Sequence, residues 1–481
     1  MSFVPLPRAG ADNNLVNSAG LEAFTRALDN IQGSMRGFIL LRNGHVAAER
    51  FWPPYKPEDA VHVYSLSKSF TSTAIGLAVD EGLLSVDDLV LKFFPEYSYS
   101  DENLNAMRVH DLLTMRSGHQ EDTTGTMADR PDGDWARGFL ELPVTYKPGT
   151  HFVYNTGATY MLSAILQRAT GTDMLAYLTP RFFEPLGFGE VAWHTCPKGI
   201  NTGGWGLMVR LEDVAKLGQL YLDGGEWTSG RIISGQWTQE AVKPHADNSI
   251  TKSSVDWSQG YGYQFWRCQH GAFRGDGAFG QYCVVMPDRR AVLALMSETD
   301  DMQAILDIVW EYLLPALDTA NSIGTFSGAH GSAFEYAPEP EGEVSAAENI
   351  SGLRVRFTDC GVELEFAAGK DSQTLCAGFD DTNFRPHWIE NNLQLDGDAN
   401  IFMPGLKLDG SQPIKKLLEK AAARCYWLKY DMLVVELVYH GIPHRDRLTF
   451  TFDNDKIFMT NSTVRWDWGP MRWRGVRRSA L

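Results

Sequence analysis

Long apolar runs are missing from this sequence. No uninterrupted stretch is long enough to span a bilayer, so no membrane-crossing helix is expected. The start, MSFVPLPRAGADNN, also lacks the basic and apolar regions of a secretory leader. Cysteine is scarce: six among 481 residues, at positions 196, 268, 283, 360, 376 and 425, with no CxxC or CxxH spacing. This argues against a disulfide framework or a cysteine-built zinc site, and predicts buried free thiols in a reducing compartment, the cytoplasm. Positive charge is in deficit, with 43 Lys and Arg against 60 Asp and Glu and a formal charge of −17. Nucleic acid and anionic membrane surfaces are therefore poor candidates for the main partner. Internal repeats and low-complexity blocks are absent as well. What is present is a 44% hydrophobic content, enough for a large core in a chain too long for one typical domain.

Periodicity organises the first 317 residues as a sheet covered by helices. Residues 20–32 read as an amphipathic helix. Phe38-Ile-Leu-Leu and His45-Val-Ala-Ala flank Arg42-Asn-Gly44, a hairpin signal. A second hairpin pairs Tyr282-Cys-Val-Val-Met with Ala291-Val-Leu-Ala-Leu-Met across Pro287-Asp-Arg-Arg290. Segments 66–82, 157–170, 211–223 and 301–317 read as helices, so strands distant in sequence are expected to share one sheet. From 318 to 347 the composition shifts to Gly, Ser, Ala and Glu, which reads as a linker. Residues 348–481 carry alternating runs at Leu353–Phe357, Val362–Phe366, Leu433–Val438 and Leu448–Phe452. They predict a smaller antiparallel β domain, barrel-like in one version, interrupted by a helix near 412–423.

The chemical signal is Ser65-Leu-Ser-Lys68. Serine and lysine three apart at the first turn of a helix share a face, so Lys68 Nζ can reach Ser65 Oγ. The free N–H groups at such a turn favour developing negative charge. A serine hydroxyl needs a neighbour to take its proton, and a buried lysine can do so once desolvation disfavours its charged form. Alone the motif reads more readily as a capping serine beside a surface lysine. A second copy, Ser249-Ile-Thr-Lys252, lies in polar sequence with nothing apolar to position a helix, whereas Ser65 ends an apolar stretch and opens one.

The surrounding residues resolve this. Val61-His-Val-Tyr-Ser65-Leu-Ser-Lys68, Asp80-Glu-Gly-Leu-Leu-Ser-Val-Asp-Asp88 and His110-Asp-Leu-Leu-Thr-Met-Arg-Ser-Gly118 recur in order with Lys147-Pro-Gly-Thr-His-Phe-Val-Tyr154-Asn-Thr-Gly157. Gly203-Gly-Trp-Gly and Gly260-Tyr-Gly-Tyr-Gln-Phe-Trp266 follow. Over roughly residues 20–317 the chain resembles the serine β-lactamase/penicillin-binding-protein superfamily. The resemblance implies a nucleophilic Ser65, Lys68 as its base and Tyr154 as a second proton carrier, either phenolate or shared-proton partner. It also implies that Thr156 occupies a substrate-binding position where the family often has Asn, with Asn155 out of register. Met115 stands where the family usually has histidine. In place of the third motif's Lys-Thr-Gly is Arg274-Gly-Asp-Gly-Ala-Phe-Gly-Gln281, similar to the Gly-rich variant of esterase-like relatives. By that match the N–H groups of Ser65 and Ala278 form an oxyanion hole, with Gly277 beside the substrate.

Three other features are set aside. His440-Gly-Ile-Pro-His444 has metal-like spacing, but Gly and Pro would break the helix that makes it useful. No Gly-x-Ser-x-Gly elbow occurs. The arginines 472, 474, 477 and 478 read as a solvated strand and tail.

The resulting expectation is an α/β, serine β-lactamase-like domain (1–317), a linker (318–347) and a C-terminal β domain (348–481). Its activity would be hydrolysis of a small ester or amide through an acyl-Ser65 intermediate, with no metal or cofactor; homo-oligomerisation is left open. The alternatives are a very slow acyl-ligand binder or penicillin sensor, and a D-amino-acid amidase or carboxypeptidase. The missing third-motif lysine favours uncharged esters over β-lactams, and Asp276 would add repulsion if it faced the cleft. Arg274 could substitute for that lysine as a carboxylate anchor, but reads more readily as a surface arginine beside a strand.

Overall fold

A computed structural model of the chain describes residues 2–10, 14–31, 33–249 and 254–319, and then 354–358, 361–368, 371–379, 386–387, 389–392, 420–429, 432–442, 444–453, 456–464 and 479–480. It divides into two compact units, Met1–Trp52 with Pro57–His330, and Pro53–Lys56 with Gly331–Leu481.

The first unit is built on a six-stranded antiparallel sheet. Both expected hairpins form: Ser34–Arg42 pairs His45–Phe51, and Gln281–Met286 pairs Ala291–Glu298. The two hairpins join at the centre, where Ser34 faces Glu298 and Arg42 faces Ala291. Phe273–Gly277 and Trp266–Arg267 extend the sheet at one edge. One face buries Phe38, Leu40, Tyr282, Val284, Leu293 and Leu295 against Leu21, Phe24 and Leu28 of helix Ser18–Asp29 and against Ile305, Val309 and Leu313. Full burial of side chains of this size contributes about 1.5–3 kcal/mol each. The run Met302–Asp318 is helical throughout and passes through one π-type turn at Val309–Leu313. The other face carries helix Leu211–Leu222, whose Gly218 lies directly against Val292 and Cys283. Covering on both faces explains why these strands read as continuous apolar runs rather than alternating ones.

In the second unit, the expected strands appear as Arg354–Thr358, Gly361–Ala368, Met432–Tyr439 and Arg445–Asp453. They belong to a ten-stranded sheet in which Asp371–Phe379 lies parallel to Lys420–Lys429 and the other pairings are antiparallel. Among the described residues no ladder closes this sheet into a barrel. The helix expected near 412–423 is corrected over its last four residues, where Lys420–Lys429 is a strand; 412–419 lie outside the described residues. That strand earns its place by pairing: Ala421, Ala422 and Ala423 are fully buried opposite Tyr439, Val438 and Leu437, and tertiary burial overrides alanine's helix preference. Beside them, buried Glu436 accepts from Arg424 Nε at 2.7 Å and from Arg447 Nη2 at 2.9 Å across neighbouring strands. The linker segment 320–347 and the arginines 472–478 also lie outside the described residues. The described cysteines are all free thiols, four of the five buried.

Candidate active site

Ser65 is held by a backbone that few sequences would choose. Strand Ala60–His62 pairs with Leu207–Arg210, and the Val63 N–H continues the contact to the Leu207 carbonyl. At Tyr64 the chain turns through φ 48°, a left-handed value uncommon for a non-glycine residue. Ser65 then sits in the 3₁₀ turn Tyr64–Leu66 that opens helix Ser67–Asp80. Ser67 locks the turn, donating from Oγ to the Tyr64 carbonyl at 2.6 Å and accepting the Leu207 N–H at 3.2 Å. Strained backbone of this kind persists only where its surroundings over-determine it.

Lys68 is fully buried, not at the surface. Its Nζ donates to Ser65 Oγ at 3.0 Å, to Thr156 Oγ1 at 3.2 Å and to the Gly204 carbonyl at 2.8 Å, and lies 4.8 Å from the centre of the Tyr154 ring. Burial depresses the lysine to about 7, with Asp122 and Asp276 opposing the shift. At neutral pH the amine is therefore divided between charged and neutral forms, and the neutral form offers Ser65 a lone pair.

Tyr154 stacks on Trp266 at 5.2 Å and meets Tyr261 edge-on. Burial and then the charge of Asp276 hold its hydroxyl well above the usual phenol range, against the pull of its hydrogen bond with Ser65. That shift favours the neutral phenol over the phenolate.

The Tyr-Asn-Thr segment divides its labour. Asn155, fully buried, caps helix Thr156–Thr170: Oδ1 accepts the N–H groups of Gly157 and Ala158, and also the N–H and hydroxyl of Thr123. Thr156 faces Lys68 instead. Met115, in the place expected for histidine, is buried at φ 56°; its carbonyl accepts the Val153 N–H, and its sulfur receives the Asn155 N–H at 3.3 Å. It holds the Tyr154 loop by its backbone carbonyl and its sulfur.

The Gly-rich segment lies against this serine turn. Strand Phe273–Gly277 runs so close that a Cβ on Gly277 would clash with the Val63 carbonyl, and one on Gly275 with Leu66 and Ser69. Tyr64 meets Phe279 edge-on at 5.4 Å. Gln281 Nε2 donates to the carbonyls of Ala278 and Ser297, securing the turn that contains Ala278. Arg274 is corrected from a surface residue to a buried one. It pairs with Asp276 at 2.9 Å, donates to the Asp256 carbonyl and Cys268 Sγ, and lies over Trp257 at 4.2 Å. Asp276 is thus neutralised inside the protein and is not the bare repulsive charge considered from the sequence.

A sequence model of the Beta-lactamase family matches residues 24–315. The chain belongs to that family. It is 24% identical over 284 residues to the 6-aminohexanoate-dimer hydrolase of Paenarthrobacter ureafaciens, covering 55% of this chain and 72% of that relative. Among solved structures it shares its fold with EstCE1, a hydrolase with promiscuous acyltransferase activity (TM-score 0.51, 15% identity, 63% of this chain and 99% of that one). It is likewise similar to the octameric penicillin-binding protein homologue from Pyrococcus abyssi (TM-score 0.50, 16% identity, 91% of this chain and 96% of that one).

For a member of the Beta-lactamase family, the site adds residues that sequence reasoning left without a role. Gly204 supplies a carbonyl to Lys68, and a side chain there would strike Thr156; the Gly203-Gly204 pair was visible only as a landmark. Gln264 is buried at φ 63° and ties three helical segments, accepting from Ser69 and Thr159 and donating to the carbonyls of Leu112 and Leu113. Asp122 bonds to the Thr156 N–H and stands in no recognisable motif. Ser249 is exposed, and Lys252 lies outside the described residues. His440 and His444 are buried at a strand end, and no metal-binding cluster occurs among the described residues. No helix among the described residues is long and apolar enough to cross a membrane.

Proposed function

We propose that this chain is a serine hydrolase that cleaves small esters or amides through an acyl-Ser65 intermediate. The observation that carries the reading is the buried Lys68 amine, 3.0 Å from Ser65 Oγ and depressed to about 7. In the neutral form, Nζ accepts the serine proton as Oγ bonds to the substrate carbonyl carbon. The carbonyl oxygen takes the negative charge and is received by the N–H groups of Ser65 and Ala278. Collapse of the tetrahedral adduct breaks the bond to the leaving group, which takes the proton from Lys68 by way of the Tyr154 hydroxyl. Water then attacks the acyl ester with the same groups reversing roles, releasing the acid and restoring Ser65. Thr156 and the Gly277–Ala278 edge line the substrate path. The relative that hydrolyses 6-aminohexanoate dimers supports the amide side of this reading, and EstCE1 fits acyl transfer.

Ser65→Ala should abolish both fluorophosphonate labelling and p-nitrophenyl butyrate hydrolysis with the circular dichroism spectrum retained, whereas Ser249→Ala should change neither. Turnover in folded S65A would overturn the reading. Stoichiometric labelling of the wild type without turnover would make the protein an acyl-binding sensor instead.

A further inference from the structure

Resting on the serine-hydrolase reading, we propose that Asp122 makes this cleft selective for esters or amides that carry a positively charged amine, and unfavourable to those that carry a carboxylate. The carboxylate is exposed, yet it is one hydrogen bond away from the site's own threonine. Oδ2 accepts the Thr156 N–H at 3.2 Å, and Thr156 Oγ1 accepts Lys68 Nζ at 3.2 Å. Its charge is felt at both Lys68 and Tyr154.

The other charges near Ser65 are already satisfied. Arg274 and Asp276 neutralise each other at 2.9 Å, and Lys68 spends its donors on Ser65, Thr156 and Gly204. Among the described residues no cationic side chain forms an ion pair with Asp122, which accepts hydrogen bonds from Thr156 and Thr124. Oδ1 accepts the N–H and hydroxyl of Thr124, so amides and a hydroxyl orient the group without neutralising it. A carboxylate has roughly four lone-pair sites, and these contacts occupy three of them. The charge is left open to a cationic amine arriving with the substrate, whether or not that amine has an N–H to donate. When Lys68 is neutral and ready to act as base, the Asp122 charge, one threonine away, has no ion-pair partner among the described residues, so a ligand cation meets it with no described protein cation to displace.

Three p-nitrophenyl esters of matched length test this: hexanoate, 6-(trimethylammonio)hexanoate, whose fixed charge cannot cyclise or titrate, and the adipate monoester. At low ionic strength the wild type should favour the cationic over the neutral ester by about five-fold in kcat/KM and disfavour the anionic one similarly, as expected for charges several ångströms apart in water-rich surroundings. Salt at 0.5 M should compress the series. Asp122→Asn should bring the cation-to-anion ratio close to one, and Asp122→Glu should restore it. A purely structural role would lower all three rates together and leave the ratio intact. Equal rates for the three esters in the wild type, or an unchanged order in D122N at low salt, overturn the proposal. Should D122N fail to fold, an absence of salt dependence in the wild-type ratio overturns it by itself. Failure of the wild type to hydrolyse any of the three sinks the serine-hydrolase reading, and this inference with it.

Discussion

Lys68 is buried like a core side chain but bonded like a reactive one, and its titration is the most direct handle on the chemistry. A general base must be unprotonated, and burial brings Lys68 to about 7. Acylation, read as kcat/KM for a neutral ester, should therefore rise with pH through about 7 and level off above it. The direction follows from the sign of the shift: a lysine left at its ordinary value would keep the rate climbing beyond pH 9. Tyr154, held as a neutral phenol, should add no inflection of its own in that range. Lys68→Ala and Tyr154→Phe should each reduce activity by roughly two orders of magnitude or more, and the double variant by much less than the product, because the two groups handle one proton. Independent, mild effects would show that another residue is the base.

At the scale of elements, the site depends on how closely one strand approaches one turn. Strand Phe273–Gly277 lies against Val63–Ser65 because positions 275 and 277 lack side chains on that face. Arg274 and Asp276 occupy the alternate positions and pair with each other. Gly277→Ala must push the strand away from the Val63 carbonyl and take the Ala278 N–H with it. Since losing one oxyanion donor costs about 10²–10³ in rate, kcat should fall by about that factor while KM changes little. Gly125→Ala is the control: nothing lies within 4 Å of its missing Cβ, so activity should stay near wild type. Wild-type kcat in G277A would mean that the Ala278 N–H has no part in catalysis. The Gly-Asp-Gly spelling was legible in the sequence, and so was its place in chain order. The reason for both glycines was not, because it lies in the Val63 carbonyl and in Ser69, some two hundred residues earlier.

Among the described residues, the unit bearing Ser65 is built on a helix-covered sheet and the unit of Pro53–Lys56 and Gly331–Leu481 on a ten-stranded one. Each buries its own apolar set, so calorimetry should resolve two unfolding transitions. A fluorophosphonate adduct on Ser65 should raise one of them and leave the other in place. A single transition that moves as a whole would show that the units unfold together. The charge of −17 belongs to this scale as well, and its long-range repulsion acts against polyanionic partners.

What the sequence determined by itself was whatever rests on local chemistry and short-range spacing. Hairpins follow from Asn-Gly and Pro-Asp turns, helices from apolar periodicity, and the Ser65–Lys68 pairing from three residues along a helix. The order of motifs was enough to indicate the family. Tertiary structure decided what depends on distant residues and on the removal of water. Burial, not residue type, separates Lys68 from a surface lysine and Arg274 from a solvated arginine. The strand at 420–423 exists because neighbouring strands bury its alanines, against their local preference. The division between Asn155, which caps a helix, and Thr156, which faces the amine, turns on a single residue of register. Only the folded chain sets that register, because it depends on where the Met115 and Thr123 loops meet the start of that helix.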